Sequence, residues 1–217
     1  MKKLLLSIIA VILATAGSAF ANTGDDWTPV QFSFMPGAKN WPSRNNVNGV
    51  KIGLPISSLD GGLNQKVNGV ELGFVSMSQN VGGAQLSFMN VDTKNCAGLQ
   101  LSCASVATDF KGAQIGGYNE LNKGGGAQLG IVNVGAENKG VATGVVNYHE
   151  RNSSGVQFGA INSAQNYSGI QIGAFNFNDD EDVQQTGRQK SSVIQFGAIN
   201  YMEDGFLPVF ILFNFRV

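Results

Sequence analysis

The chain has 217 residues with 43% hydrophobic and 13% charged content and a formal net charge of −1, so it can bury a sizeable interior and offers no basic surface for nucleic acid. It has two cysteines and one histidine, too few for a disulfide framework or a metal site of recognisable spacing. After residue 21 no segment approaches the roughly 18 apolar residues of a membrane-spanning helix.

Residues 1–21 read as an export signal. Lys2 and Lys3 form a positive end, Leu4 to Ala16 an apolar run, and Ala19-Phe20-Ala21 a small-x-small cleavage site. The mature chain is expected to start at Asn22 and to form one domain, residues 22–217, with 12 basic and 15 acidic residues. The style of the signal is bacterial, and no cysteine follows the cleavage site to carry a lipid anchor.

Val30 to Met35 is a first alternating segment, with Val30, Phe32 and Phe34 on one side and Gln31 and Ser33 on the other. An internal repeat then takes over. Nine glycines (Gly49, Gly69, Gly83, Gly98, Gly112, Gly126, Gly140, Gly155 and Gly169) follow one another at steps of 20, 14, 15, 14, 14, 14, 15 and 14 residues. Each opens the phrase Gly-apolar-Gln-apolar-Gly-apolar-apolar-Asn, as in Gly126-Ala-Gln-Leu-Gly-Ile-Val-Asn133 and Gly155-Val-Gln-Phe-Gly-Ala-Ile-Asn162. A further copy, Val193 to Asn200, lacks the first glycine. Side chains two apart share one face of a strand, so each phrase is a half-apolar strand with Gln and Gly on one face and Val, Ile and Phe on the other. The alternation fails at the seventh position, where Val132, Ile161 and Phe175 are apolar on the polar series. The linking residues are polar and turn-rich, as at Gly135 to Lys139. Pro29, Pro36, Pro42, Pro55 and Pro208 keep to the two ends.

The repeat predicts an all-β fold. The favoured architecture is an antiparallel outer-membrane-type β-barrel of about 12 short strands built from the 14–15-residue repeats, because closure satisfies every backbone hydrogen bond in lipid. The alternating end Phe213 to Val217 fits it, and Tyr148, Phe177, Tyr201 and Phe215 are placed for an aromatic girdle. Gln would face the lumen. The alternative is a parallel β-solenoid, each repeat one rung, with Gln and Asn in amide ladders. The uniform step favours the solenoid; the scarcity of apolar residues in the links, which leaves a rung half a core, weighs against it.

The phrase resembles the repeat of a loosely defined group of bacterial surface-repeat proteins with tandem Gly-Leu-Gln-Ile-Gly-Leu-Val-Asn-type units after a signal peptide. The resemblance covers Gly49 to Asn200, and Leu207-Pro208-Val209-Phe210 is similar in style. It implies β structure at the outer membrane or cell surface and no particular activity. Lys51 and Glu71 in the Gln slot and Ala142-Thr143 in the eighth phrase depart from it.

No catalytic, cofactor or metal residues are assigned. His149 is expected to be a solvated residue at a strand end, and Asp179 to Asp182 an exposed loop without the alternating ligands of a calcium site. Cys96 and Cys103 are a possible disulfide in an exported chain. A fully extended intervening segment would hold them roughly 20 Å apart, beyond the about 7 Å a bridge allows. The expected function is a non-enzymatic structural or pore-like one, with outer-membrane lipid as the partner; a secreted or surface-attached binding module is the alternative.

Overall fold

The computed structural model describes residues 27–33, 46–56, 66–179 and 192–216. These form one all-β sheet of eight elements in chain order: β1 (Trp27–Ser33), β2 (Asn46–Ile56), β3 (Lys66–Thr143), β4 (Val146–His149), β5 (Ser154–Gln165), β6 (Ser168–Asp179), β7 (Val193–Met202) and β8 (Val209–Arg216). Every pairing from β1 to β7 is parallel, and the β7–β8 pairing is antiparallel. The sheet is not closed.

This departs from the antiparallel barrel favoured by the sequence. The register shows why. Gly155 pairs with Gly169, Gln157 with Gln171 and Asn162 with Asn176, and the pattern continues onto β7 as Gln171 with Gln195 and Asn176 with Asn200. Parallel stacking puts every repeat residue on its equivalent, and only that arrangement lets identical amides bond rung to rung. Antiparallel pairing would set Gln against unlike neighbours.

Pairing persists through the corners. Val145 N–H donates to Ile131 O at 2.9 Å and Glu150 N–H to Gly135 O at 2.8 Å, both between successive rungs. β3 itself runs unbroken for 78 residues and spans several repeats. The first glycine of each phrase makes one corner. At Gly112 and Gly126, φ is +144° and +135°, a region open essentially to glycine alone. A Cβ on either would lie 1.9 Å from the carbonyl oxygen of the glycine one rung earlier.

The second glycine of the phrase sits beside the other corner, and it explains the failed alternation. Chain direction changes after it, so the sixth and seventh positions both face outward before Asn turns in at the eighth. Ile131 is 62% exposed, Val132 half-buried and Asn133 fully buried. The interior is therefore polar. In β1 the buried side is Thr28, Gln31 and Ser33, and in each later phrase it is the Gln and Asn slots. Large apolar side chains stand outside, among them Leu86, Leu101, Ile115, Leu129, Phe158 and Phe196, all at the fourth position. A smaller apolar column lies inside the linking segments: Val47, Val67, Val81, Cys96 and Phe110, packed with Ala107 and Leu121.

Candidate functional site

The chemistry of this molecule is concentrated in its interior. Gln114 Nε2 donates to Gln100 Oε1 at 2.8 Å, and Gln100 donates to Gln85 at 2.9 Å. Each link runs toward the N-terminus. Gln114 also donates to Glu120 O at 3.3 Å, and Gln195 to Tyr201 O at 3.1 Å, so the side chain braces its own rung from one wall to the other. The Asn column runs the opposite way. Asn119 Nδ2 donates to Asn133 Oδ1 at 2.9 Å, and links of 2.8 Å carry the chain through Asn147, Asn162 and Asn176 to Asn200. Each amide nitrogen also donates to the carbonyl at the fourth position of the next rung, for example Asn162 to Ile172 O at 2.9 Å. A carbonyl can only accept, so this contact fixes which end of each amide faces which neighbour. The opposed directions set the dipoles of the two ladders against each other.

The charged departures from the repeat lie in the Gln column and complete it. Lys51 Nζ is 3.2 Å from Glu71 Oε1, and both side chains are fully buried on adjacent rungs. Lys51 also donates to Ser78 Oγ at 3.3 Å. Ser78 Oγ lies 2.9 Å from Glu71 Oε2, and Gln85 Nε2 donates to that oxygen at 3.0 Å. A buried pair of this kind contributes little net stability, but removing one partner strands the other in a dry interior. Sequence reasoning recorded the two residues as departures and did not pair them; their opposite sign at the same repeat position was the available signal.

Ala142 interrupts the ladder. It occupies the Gln slot between Gln128 and Gln157 and is fully buried. Asn138 reaches into the space and donates to Gln128 Oε1 at 2.8 Å. Beside the interruption, Gln157 Nε2, Asn138 Oδ1 and both ring nitrogens of His149 are buried without a protein partner. His149 is 3% exposed, not solvated as the sequence suggested. It fits inside because the residues above and below it in the stack are Gly135 and Ala164. Burial lowers its pKa from 6.5 to about 4, keeping the imidazole neutral at ordinary pH. Tyr167, also buried, tilts against it with ring centroids 6.3 Å apart, and burial raises the Tyr167 pKa.

Cys96 and Cys103 are not bonded to each other: Cys96 is buried in the inner apolar column and Cys103 is exposed. Asp179 ends β6, and Asp180 to Asp182 lie outside the described residues. Two shallow clefts of about 210 and 290 Å³ share Val81 and Asn95 on the linking edge. Among the described residues no group of three His, Cys, Asp or Glu is placed to hold a metal ion.

Comparison with known proteins returns no matching family model, no matching curated protein and no matching solved structure.

Proposed function

We propose that this chain is an exported, non-enzymatic structural module of the bacterial envelope or surface, built as a filled parallel β-solenoid and akin to the surface-repeat proteins its phrase resembles. The observation that carries the reading is the pair of amide ladders. Between rungs the amides bond to their own kind, and within a rung the Gln side chain reaches a main-chain carbonyl of the opposite wall, which supports a solid, rigid stack over a pore. Such a stack suits a scaffold: neighbouring rungs contribute nearly equal increments, so length is built by repetition. The barrel with a polar lumen, favoured by the sequence, has less support than the solenoid because the pairing is parallel and the sheet open.

The test is expression of the full chain in a Gram-negative host, followed by fractionation and mass determination. The reading expects a protein lacking residues 1–21, found with the envelope or outside the cell. It also expects no faster-migrating band on unheated gels of the kind closed barrels give. An unprocessed protein in the cytoplasm would overturn it.

A further inference from the structure

We infer that the outer surface around the second glycine corner is a lipid-contacting wedge, and that the stack lies along a bilayer surface with its axis in the membrane plane. This rests on the envelope reading above and names the partner of the outer faces.

Three observations carry it. The first is the inversion of the fold. Polar side chains are inside and bonded to one another, while the fourth position of nearly every rung presents Leu, Ile or Phe outward, with Leu129 43% and Phe196 48% exposed. The backbone beneath is paired rung to rung, so contact with hydrocarbon leaves no row of stranded N–H groups. The second is shape. The fourth position lies before the corner and the sixth and seventh after it, so apolar residues cover two faces that meet at a convex edge. Ile131 and Val145 on the second face are 62% and 53% exposed. A flat second copy would cover one of these faces; a fluid phase covers both. From Gly83 to Asn200 the strip climbs seven steps of roughly 4.8 Å, about 34 Å in all.

The third is charge. From Gly83 to Asn200 no phrase carries a charged residue in its eight positions. The charges stand in the links: Lys94, Asp109, Lys111, Glu120, Lys123 and Glu137, for example. A stack crossing the bilayer along its axis would drag this edge through hydrocarbon. A stack lying flat keeps it in water. The links hold both signs, so attraction to anionic headgroups is not the driving term and hydrophobic insertion is. Tyr118 and Tyr148, each 36% exposed and near the apolar–polar boundary, suit the headgroup level.

The experiment is flotation of the protein, purified from an expressing bacterium and freed of detergent, with vesicles of phosphatidylcholine alone. The protein is expected to float with the vesicles and to remain bound in about 0.5 M salt, where surface charge attraction is screened. The double variant Ile131→Asp with Phe158→Asp is expected to lose at least about tenfold in binding with its β-sheet circular dichroism intact. Lys123→Glu, on the linking edge, should bind as the parent does. As a second measurement, Phe158→Trp should gain emission quenched by brominated phosphatidylcholine, and Lys123→Trp should not. Absence of flotation, equal binding by the double variant, or equal quenching at both sites would overturn the wedge. So would a water-soluble dimer that ignores vesicles. Fractionation reports on export and flotation on lipid contact, so either reading can fail alone.

Discussion

The rungs before Gly112 and those after it hold the same cross-section together by different means. In the earlier rungs the eighth position is Ser76, Asn90 or Ser105, and no continuous Asn ladder forms. The fifth position is Ser in two of them, and it bonds within its own rung: Ser102 Oγ lies 2.6 Å from Ser105 Oγ, and Ser87 bonds to Asn90. These rungs carry the inner apolar column Val47, Val67, Val81, Cys96 and Phe110. From Gly112 onward the Asn ladder is continuous, and the same inner column turns to Gly124, Asn138 and Ser153 before Tyr167 restores a buried apolar cluster with Ala164, Val193 and Met202. Over the middle rungs the Asn ladder stands in for the apolar filling; in the last rungs the ladder and a second apolar cluster coexist. One backbone course therefore tolerates two kinds of interior, provided that each rung can bond or pack against the next.

The comparison breaks most sharply at the fifth position. A Cβ on Gly173 would sit 2.2 Å from Gly159 O and 2.6 Å from Asn162 Nδ2, in the space the ladder uses. Gly173→Ala should destabilise by about 3 kcal/mol or more, whereas Ser102→Gly in the earlier region should cost about 1 kcal/mol. Comparable losses in denaturant melts would mean that the two regions do not differ as described.

The buried charges come next. Lys51→Gln and Glu71→Gln should each cost about 3–5 kcal/mol, because each leaves its partner charged and buried. The double variant places Gln in both slots and extends the ladder, so it should recover most of that loss. A double-mutant cycle checks this, and additive losses would show that the pair is not coupled.

His149 gives a smaller, pH-dependent effect. Its folded pKa of about 4 lies below the unfolded 6.5, so the unfolded chain binds the extra proton between these values. Its contribution is complete above pH 6.5 and lost as pH falls toward 4, a difference of about 3 kcal/mol. The fall in Tm over that window should be shallower in His149→Leu than in the parent, and equal slopes would refute the burial.

The smallest effect is a gain. Ala142→Gln supplies the missing ladder amide and an acceptor for Gln157 Nε2, and should stabilise by about 1 kcal/mol in the same melts. A loss would show that Asn138, which already donates to Gln128 Oε1, leaves no room for the added side chain.

Much of this was legible in the repeat. The strands, the two faces and the Gln and Asn columns follow from period and spacing. Parallel stacking does not, because periodicity marks apolar cores and the interior of this stack is made largely of amides. The links have few apolar residues, yet Gln and Asn fill the rungs, each column bonding to its own kind on the next rung. The seventh-position anomaly marked the corner after Gly130, but a period of two cannot show a bend. His149 was misplaced for a related reason. Its burial depends on Gly135 and Ala164, which are 14 and 15 residues away and become neighbours only once the register is known.

Parallel in-register stacking is the claim on which the rest depends, and cysteine cross-linking tests it directly. In a background with Cys96→Ala and Cys103→Ser, the pair Ala113→Cys and Ala127→Cys occupies the second position of adjacent rungs. Parallel strands set these about 4.8 Å apart, within reach of a disulfide. An antiparallel hairpin between the same phrases would place Ala113 opposite Val132 and roughly 17 Å from Ala127. Ready oxidation of the 113–127 pair and none of a 113–132 pair is the expected result. The reverse would contradict the stack and restore the barrel.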